Sequence, residues 1–256
     1  TGAGGEFLLL LQKAALKSQF KSSSILNSYI KKISLALSKL VTKNGYVPPI
    51  GDGDDGRVIR FDDEEYLNTN EILNAASIFL NIPLAPKNKE FLFCKFLFGK
   101  KFSPTKKLDH FNYLNKSGLA HFNYKDFDLW IDCGPTGLGF NGPGGHGHND
   151  TTAIVFHYKD RPILHDPGWF GYFIDEDERN YFRSTFSHNT INIDNQEQAR
   201  LASKFEILND CHPTKTKIFR RKNLLIITCG HDGYSRLRKG ILYSRKIKIS
   251  FDGVFE

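Results

Sequence analysis

The chain of 256 residues is 40% hydrophobic and 25% charged, an ordinary globular balance with enough material for one large domain or two smaller ones. A formal charge of +7 and a pI near 9.1 favour a polyanionic partner, yet no helix-turn-helix, zinc-finger spacing or RNA-binding aromatic motif points to nucleic acid. No apolar run is long enough to span a bilayer, no signal peptide is visible, and Cys94, Cys133, Cys211 and Cys229 form no close pair of the kind that makes a metal knuckle or redox motif.

The chain starts Thr1-Gly2-Ala3-Gly4-Gly5-Glu6, contains no Met and stops just after the strand-like Ile247–Phe251, so it is expected to be an excerpt of a longer protein. In residues 6–41 apolar side chains recur at three- and four-residue steps, through Phe7, Leu8, Leu11 and Ala15 and then Ile30, Ile33, Leu37 and Leu40. Two helices broken at Ser22–Ser24 are predicted. Gly45, Pro48 and Pro49 end the second. The acidic stretch Asp52–Gly56 lacks the carboxylate series of a calcium loop and is expected to be a structural turn. Further helices are predicted over Asn68–Leu80, capped by Asn68 or Thr69, and over Asn88–Phe98, closed by Gly99. The basic, Pro104-containing stretch Lys100–Lys107 then marks a boundary, giving a helical domain over 1–100 and a β domain over 101–256.

After it the period changes to alternation, in Leu119–Tyr124 and Phe127–Asp132. The glycine-rich run Gly134–Gly147 lacks the Lys-Ser/Thr ending of a phosphate loop and leads into a predicted strand, so it is no nucleotide site. Within such a strand His146 and His148, two residues apart, project from one face. Thr152–Tyr158 and Arg161–Asp166 form a predicted hairpin about Lys159-Asp160, which brings Asp166 towards His148. A further strand over Phe186–Ile193 starts at His188. A histidine, a carboxylate and a second histidine make a three-ligand set suited to zinc, with one imidazole to spare. His110, His121, His157, His212 and His231 lack such company and are expected to be hydrogen-bonded or solvated.

These motifs together resemble the heparinase II/III and alginate lyase family of polysaccharide lyases. The residues that carry the resemblance are Gly134-Pro135-Thr136-Gly137, Gly145-His146-Gly147-His148-Asn149-Asp150, His165-Asp166-Pro167-Gly168, Tyr181-Phe182-Arg183-Ser184-Thr185 and His188-Asn189-Thr190, with weaker matches at Pro49–Arg57 and His231–Tyr234. The resemblance implies the end of an α/α toroid followed by part of an antiparallel β-sandwich, with a catalytic cleft. It implies His146 as the catalytic histidine, Tyr172 as a tyrosine bordering substrate, and a structural zinc held by His148, Asp166 and His188. The implied partner is a uronate-containing acidic polysaccharide, and the implied address is periplasmic or secreted.

The reaction implied is β-elimination, which needs the uronate carboxylate neutralised, the C5 proton removed and the departing C4 oxygen protonated. His146 suits carboxylate contact or base work, Tyr172 a supporting contact, and Arg183 either an anion contact or a structural ion pair. Two readings compete. His-x-His-x-Asp also opens the motif of zinc-dependent metallo-β-lactamase-type hydrolases, although Thr151 stands where a further His is needed. A non-catalytic acidic-polysaccharide-binding protein would keep the fold without the chemistry.

Overall fold

The computed structural model describes residues 2–17, 24–53, 59, 68–87, 89–99, 105–136, 144–208, 211–237 and 240–251. The expected features at Ser22 and Ser23, Asp54–Arg57, Lys100–Pro104, Gly137–Pro143 and Arg238-Lys239 lie outside them. The chain forms two compact units, one of Thr1–Val47 with Asp54–Asn112 and one of Pro48–Gly53 with Tyr113–Glu256. Sequence patterning put the boundary at 100/101 and did not anticipate that Pro48–Gly53 joins the second unit.

The first unit holds α1 (Gly2–Lys17), α2 (Ser24–Leu37), α3 (Asn70–Leu80) and α4 (Leu92–Phe98). Leu9, Ile30, Leu37, Ile72, Leu73, Phe93 and Leu97 meet in one buried cluster, as the three- and four-residue spacing requires. Helix α3 is buried from Asn70 to Ser77, so its polar side chains must find partners. Asn74 donates to the carbonyls of Asn70 and Lys87, while the Ser77 hydroxyl donates to Leu73 and accepts from the Leu84 N–H. The capping role falls to Asn68, whose Oδ1 accepts the Asn70 N–H at 3.0 Å. Gly45 is obligatory, because at φ +80° a Cβ would lie 2.3 Å from the Asn70 amide carbon. Helix α4 starts later than the expected Asn88, because Phe91 is extended, and it closes on left-handed Gly99. These four helices do not show the α/α toroid. Among the described residues no helix is long and apolar enough to cross a membrane.

The second unit is built from antiparallel sheets. β1 (Phe111–Leu114), β2 (Leu119–Tyr124), β3 (Phe127–Asp132), β4 (Ile154–Tyr158) and β5 (Arg161–Leu164) form a five-stranded sheet in that order. The predicted hairpin is β4–β5, turning through Lys159 and Asp160 at φ 52° and 59°, the left-handed pair that a tight hairpin demands. A short pair, β6 (Leu201–Ser203) and β7 (Glu206–Ile207), precedes a second sheet ordered β10-β9-β8, from β8 (Lys217–Arg221), β9 (Leu224–His231) and β10 (Tyr243–Ser250). Phe122 and Tyr124 of β2 pack edge-on against Phe251, which follows β10, at 5.6 and 5.8 Å between ring centroids. Leu225, Ile227, Cys229, Ile247 and Ile249 supply the buried row of the second sheet, as expected for a β-sandwich. On the other face of β2, His121 stacks on Trp130 and its Nε2 lies 2.9 Å from Asp128 Oδ1, the structural role expected of it.

Two expected strands are absent from the described residues. The stretch around His146 and His148 is turns and bends up to β4, with Thr152 at φ +69°, which breaks the extended run. The stretch after His188 follows a 3-10 turn at Thr185–Ser187. It is fastened by side chains, Thr190 Oγ1 and Gln198 Nε2 both donating to the Thr151 carbonyl, where a strand would use backbone pairing.

His231, at the end of β9, is fully buried between Tyr234 and Tyr243, with Nδ1 accepting the Gly233 N–H at 3.2 Å. Burial pushes its pKa down to about 4, with Asp232 opposing and Arg236 assisting. A histidine held neutral in the fold but protonated in the unfolded chain makes stability fall as pH drops from its unfolded value near 6.5 towards 4. Denaturant unfolding across that window is expected to show a pH slope that becomes shallower by up to about one proton in His231→Gln. An unchanged slope would remove His231 as the source.

Candidate functional site

The site is assembled around a side chain that sequence patterning treated as part of a turn. Asp52 is wholly buried at its carboxylate, and Arg179 meets it with both terminal nitrogens, Nη1 to Oδ1 at 2.7 Å and Nη2 to Oδ2 at 2.5 Å. The same oxygens receive two imidazoles: His146 Nδ1 lies 3.0 Å from Oδ2 and His148 Nε2 lies 3.0 Å from Oδ1. The Asp52 N–H also donates to the His146 carbonyl at 3.3 Å. Burial pushes the Asp52 carboxyl up, but hydrogen bonds from His148 and Arg179 and their charges outweigh it and leave the pKa at about 2. The two histidines therefore do share a site, through convergence on one carboxylate and not through strand alternation.

Their surroundings differ. The His146 side chain is 72% exposed and that of His148 is 0%. Tyr172 Oη sits 3.1 Å from His146 Nδ1, with its ring stacked on Trp169 at 4.4 Å and the Arg179 guanidinium 5.3 Å from its centroid. His148, Asp166 and His188, all buried, bring ligand-capable atoms within 4.8 Å of one another. Asp166 leaves the β4–β5 hairpin in a tight turn, with Oδ1 accepting the Gly168 N–H at 2.9 Å; Gly168 has φ +62°, and a Cβ there would come within 3.0 Å of Pro49.

The donor set fits a cation. His148 Nε2 faces a carboxylate and His188 Nδ1 faces the Ser184 carbonyl at 2.7 Å. Both partners only accept, so these nitrogens carry the protons. That leaves the lone pairs of His148 Nδ1 and His188 Nε2 opposed at 3.2 Å, with Asp166 Oδ1 3.7 Å from the latter. Two facing lone pairs and a carboxylate ask for a positive charge among them, and the outer hydrogen bonds are those that orient metal-bound imidazoles. Burial pushes the His148 pKa down. Asp132 is raised to about 7 by burial and by Asp166, and Asp150 is raised by burial and by Asp132 and Asp166, so burial and mutual repulsion push these carboxyls towards the neutral form beside the cluster.

The structure corrects one expectation. Arg183 is 0% exposed and spends its guanidinium on backbone carbonyls, Gly147, Ser203, Lys204 and Gly144, so it is not placed to bind substrate. Burial lowers its pKa to about 10, with Arg179 contributing and Asp52 opposing. Arg179 and Arg183 come from α5 (Glu176–Arg183), a helix sequence patterning did not find. The available signals were Asp52 inside the weakly matching Pro49–Arg57 stretch and Arg179 four residues before Arg183.

Residues 106–255 match the heparinase II/III-like, C-terminal family. The chain belongs to the heparinase II/III-like family. Solved structures with this fold include the heparan sulfate lyase HepC from Pedobacter heparinus, at 18% identity and TM-score 0.65, aligned over 99% of this chain and 36% of that one. A heparinase III structure aligns at 14% identity and TM-score 0.62, over 99% of this chain and 38% of that one. The heparinase III BT4657 gene product aligns at 17% identity and TM-score 0.62, over 94% and 33%. This heparinase II/III-like chain thus spans a little over a third of HepC and of heparinase III, and at these identities the likeness speaks to fold. No curated protein matches it.

Replacing Arg183 by Ala is expected to cost on the order of 3–5 kcal/mol, because several buried carbonyls lose a charged donor at once. Arg183→Lys should recover only part, since a compact ammonium cannot reach all the carbonyls spread around the edge of the planar guanidinium. A midpoint in urea unchanged by Arg183→Ala would contradict the structural role.

Proposed function

We propose that this chain is part of a polysaccharide lyase that cleaves a uronate-containing acidic polysaccharide by β-elimination, with its four N-terminal helices belonging to an α/α toroid. The observation that carries the reading is the contrast between two neighbouring histidines on one buried carboxylate. His146 is 72% exposed beside a tyrosine hydroxyl, whereas His148 is withdrawn into a closed cluster with Asp166 and His188. An exposed imidazole with a fixed inner nitrogen suits proton or carboxylate work at C5 of a uronate, and Tyr172 suits a supporting contact to the sugar. Solved structures with this fold are named as a heparan sulfate lyase and a heparinase III, and the basic surface of β8, with Lys217, Arg220 and Arg221 exposed, agrees with a polyanion.

Zinc is proposed at His148, Asp166 and His188. Bound there it would tie together the histidine loop, the end of the β4–β5 hairpin and the segment after α5, and its binding energy would be folding energy. Burial of all three residues favours this closed, structural use over a hydrolytic site, which needs an open position for water. Acidic glycans lie outside the cytoplasm, which makes a periplasmic or secreted address the matching proposal.

The test uses the longest polypeptide that carries these residues, incubated with heparan sulfate, chondroitin sulfate and alginate. Formation of the ultraviolet-absorbing unsaturated uronate is expected with at least one polymer and should fall by about 10²-fold or more in His146→Ala, with polymer retention preserved. Retention without that absorbance in the unaltered protein would instead support the binding-protein reading. For the metal, about one zinc per chain is expected by elemental analysis. His148→Ala, Asp166→Ala or His188→Ala should lose it, and chelation should lower the melting temperature reversibly. Unchanged melting on chelation would dismiss a structural zinc.

A further inference from the structure

The pairing at Asp52 carries a consequence for which nitrogen of His146 is available. A carboxylate gripped on both oxygens by Arg179, at 2.7 and 2.5 Å, cannot turn away or offer a proton, so it acts on its other neighbours purely as an acceptor. His146 presents Nδ1 to it and His148 presents Nε2, each at 3.0 Å. A lone pair directed at either oxygen from that distance would be repelled.

We propose that Asp52, locked by Arg179, is the positioning residue that sets the two histidines in opposite tautomers, His146 protonated at Nδ1 and His148 at Nε2. His146 then turns the lone pair of Nε2 outward, and His148 turns that of Nδ1 towards His188. The Tyr172 oxygen, 3.1 Å from His146 Nδ1, accepts a share of the same N–H. For a bound uronate the outward Nε2 is a proton acceptor and not a hydrogen-bond donor, so His146 would work as the base at C5, taking that proton as the C5–H electron pair forms the C4–C5 double bond. The C4–O bond breaks with its electron pair leaving on the glycosidic oxygen, which takes a proton from water. The role of base rests on the lyase reading above; the tautomers do not. One carboxylate thereby joins the metal cluster to the exposed histidine, and a change at either is felt by the other.

The experiment is two-bond ¹H–¹⁵N correlation spectroscopy on protein labelled with ¹⁵N-histidine at neutral pH, with His146 assigned by the signals lost in His146→Gln. The expected pattern is an Nδ1–H tautomer for His146 and an Nε2–H tautomer for His148, with the His148 Nδ1 signal moving on addition of zinc chloride. In Asp52→Asn, whose amide can donate as well as accept, His146 should become a mixture of tautomers and zinc affinity, read by competition with a chromophoric chelator, should fall about 10–100-fold. Arg179→Gln should move both readouts the same way. An Nε2–H tautomer at His146 in the unaltered protein overturns the proposal without any variant having to fold. So does an Asp52→Asn protein whose tautomers and zinc affinity are unchanged. Expected tautomers in a protein with no lyase activity would leave the positioning role standing and remove only the assignment as base.

Discussion

A carboxylate with no solvent access must be matched by donors or lose its charge, and Asp52 is matched from several sides at once. Arg179 supplies a bidentate pair and His146 and His148 supply one ring nitrogen each. Removing a single partner from such a set leaves an uncompensated buried charge, which is why buried pairs are costly to break even where they contribute little net stability. The segment Pro48–Gly53 belongs to the second unit although its sequence neighbours belong to the first, and Asp52 gives the physical reason. The segment carries the charge that the histidine loop and α5 are folded around.

The loop holding His146 and His148 has no sheet pairing to fix it, so side chains do that work. Arg179 and Arg183, one helical turn apart on α5, are both buried and act on different targets. Arg179 fixes side chains through Asp52, and also reaches the Gly145 carbonyl. Arg183 fixes backbone, gathering the carbonyls of Gly144 and Gly147 with those of Ser203 and Lys204. Asn149 adds a third tie, donating to Glu197 and to the Ala199 carbonyl, while Glu197 also accepts from Thr185. The loop is thus as constrained as a strand would be, with the difference that each constraint can aim a particular side chain.

Much of the fold was legible because it follows side-chain period. The apolar steps of α2, α3 and α4, the alternation of β2 and β3 and the turn of the β4–β5 hairpin are local patterns, and the grouping of His148, Asp166 and His188 followed from motifs with strong chemical character. What escaped was not local. Asp52 lies 94 residues before His146 and 127 before Arg179, and nothing in a short acidic stretch distinguishes a buried carboxylate from a solvated one. Helix α5 escaped for a related reason: its inward stripe is two arginines instead of aliphatic side chains, so apolar periodicity has nothing to detect. The strand expected at His188 failed because Thr190 and Ile191 have strand propensity, yet hydrogen bonds from Thr190 and Gln198 side chains and the left-handed pair Asp194-Asn195 override it.

The separation of the two histidines follows from the same constraint. Two imidazoles on one carboxylate compete for its lone pairs, and geometry resolves the competition by giving each its own oxygen, His148 on Oδ1 and His146 on Oδ2. Once His148 is committed inward, it must present its remaining nitrogen to His188, and the cluster with Asp166 closes around that point. Once His146 is committed through Nδ1, its remaining nitrogen has only solvent or a ligand to meet. Burial and exposure of neighbouring residues in a His-x-His pair are therefore two outcomes of one charge placement, and moving Asp52 by a single residue would deprive both of their partner.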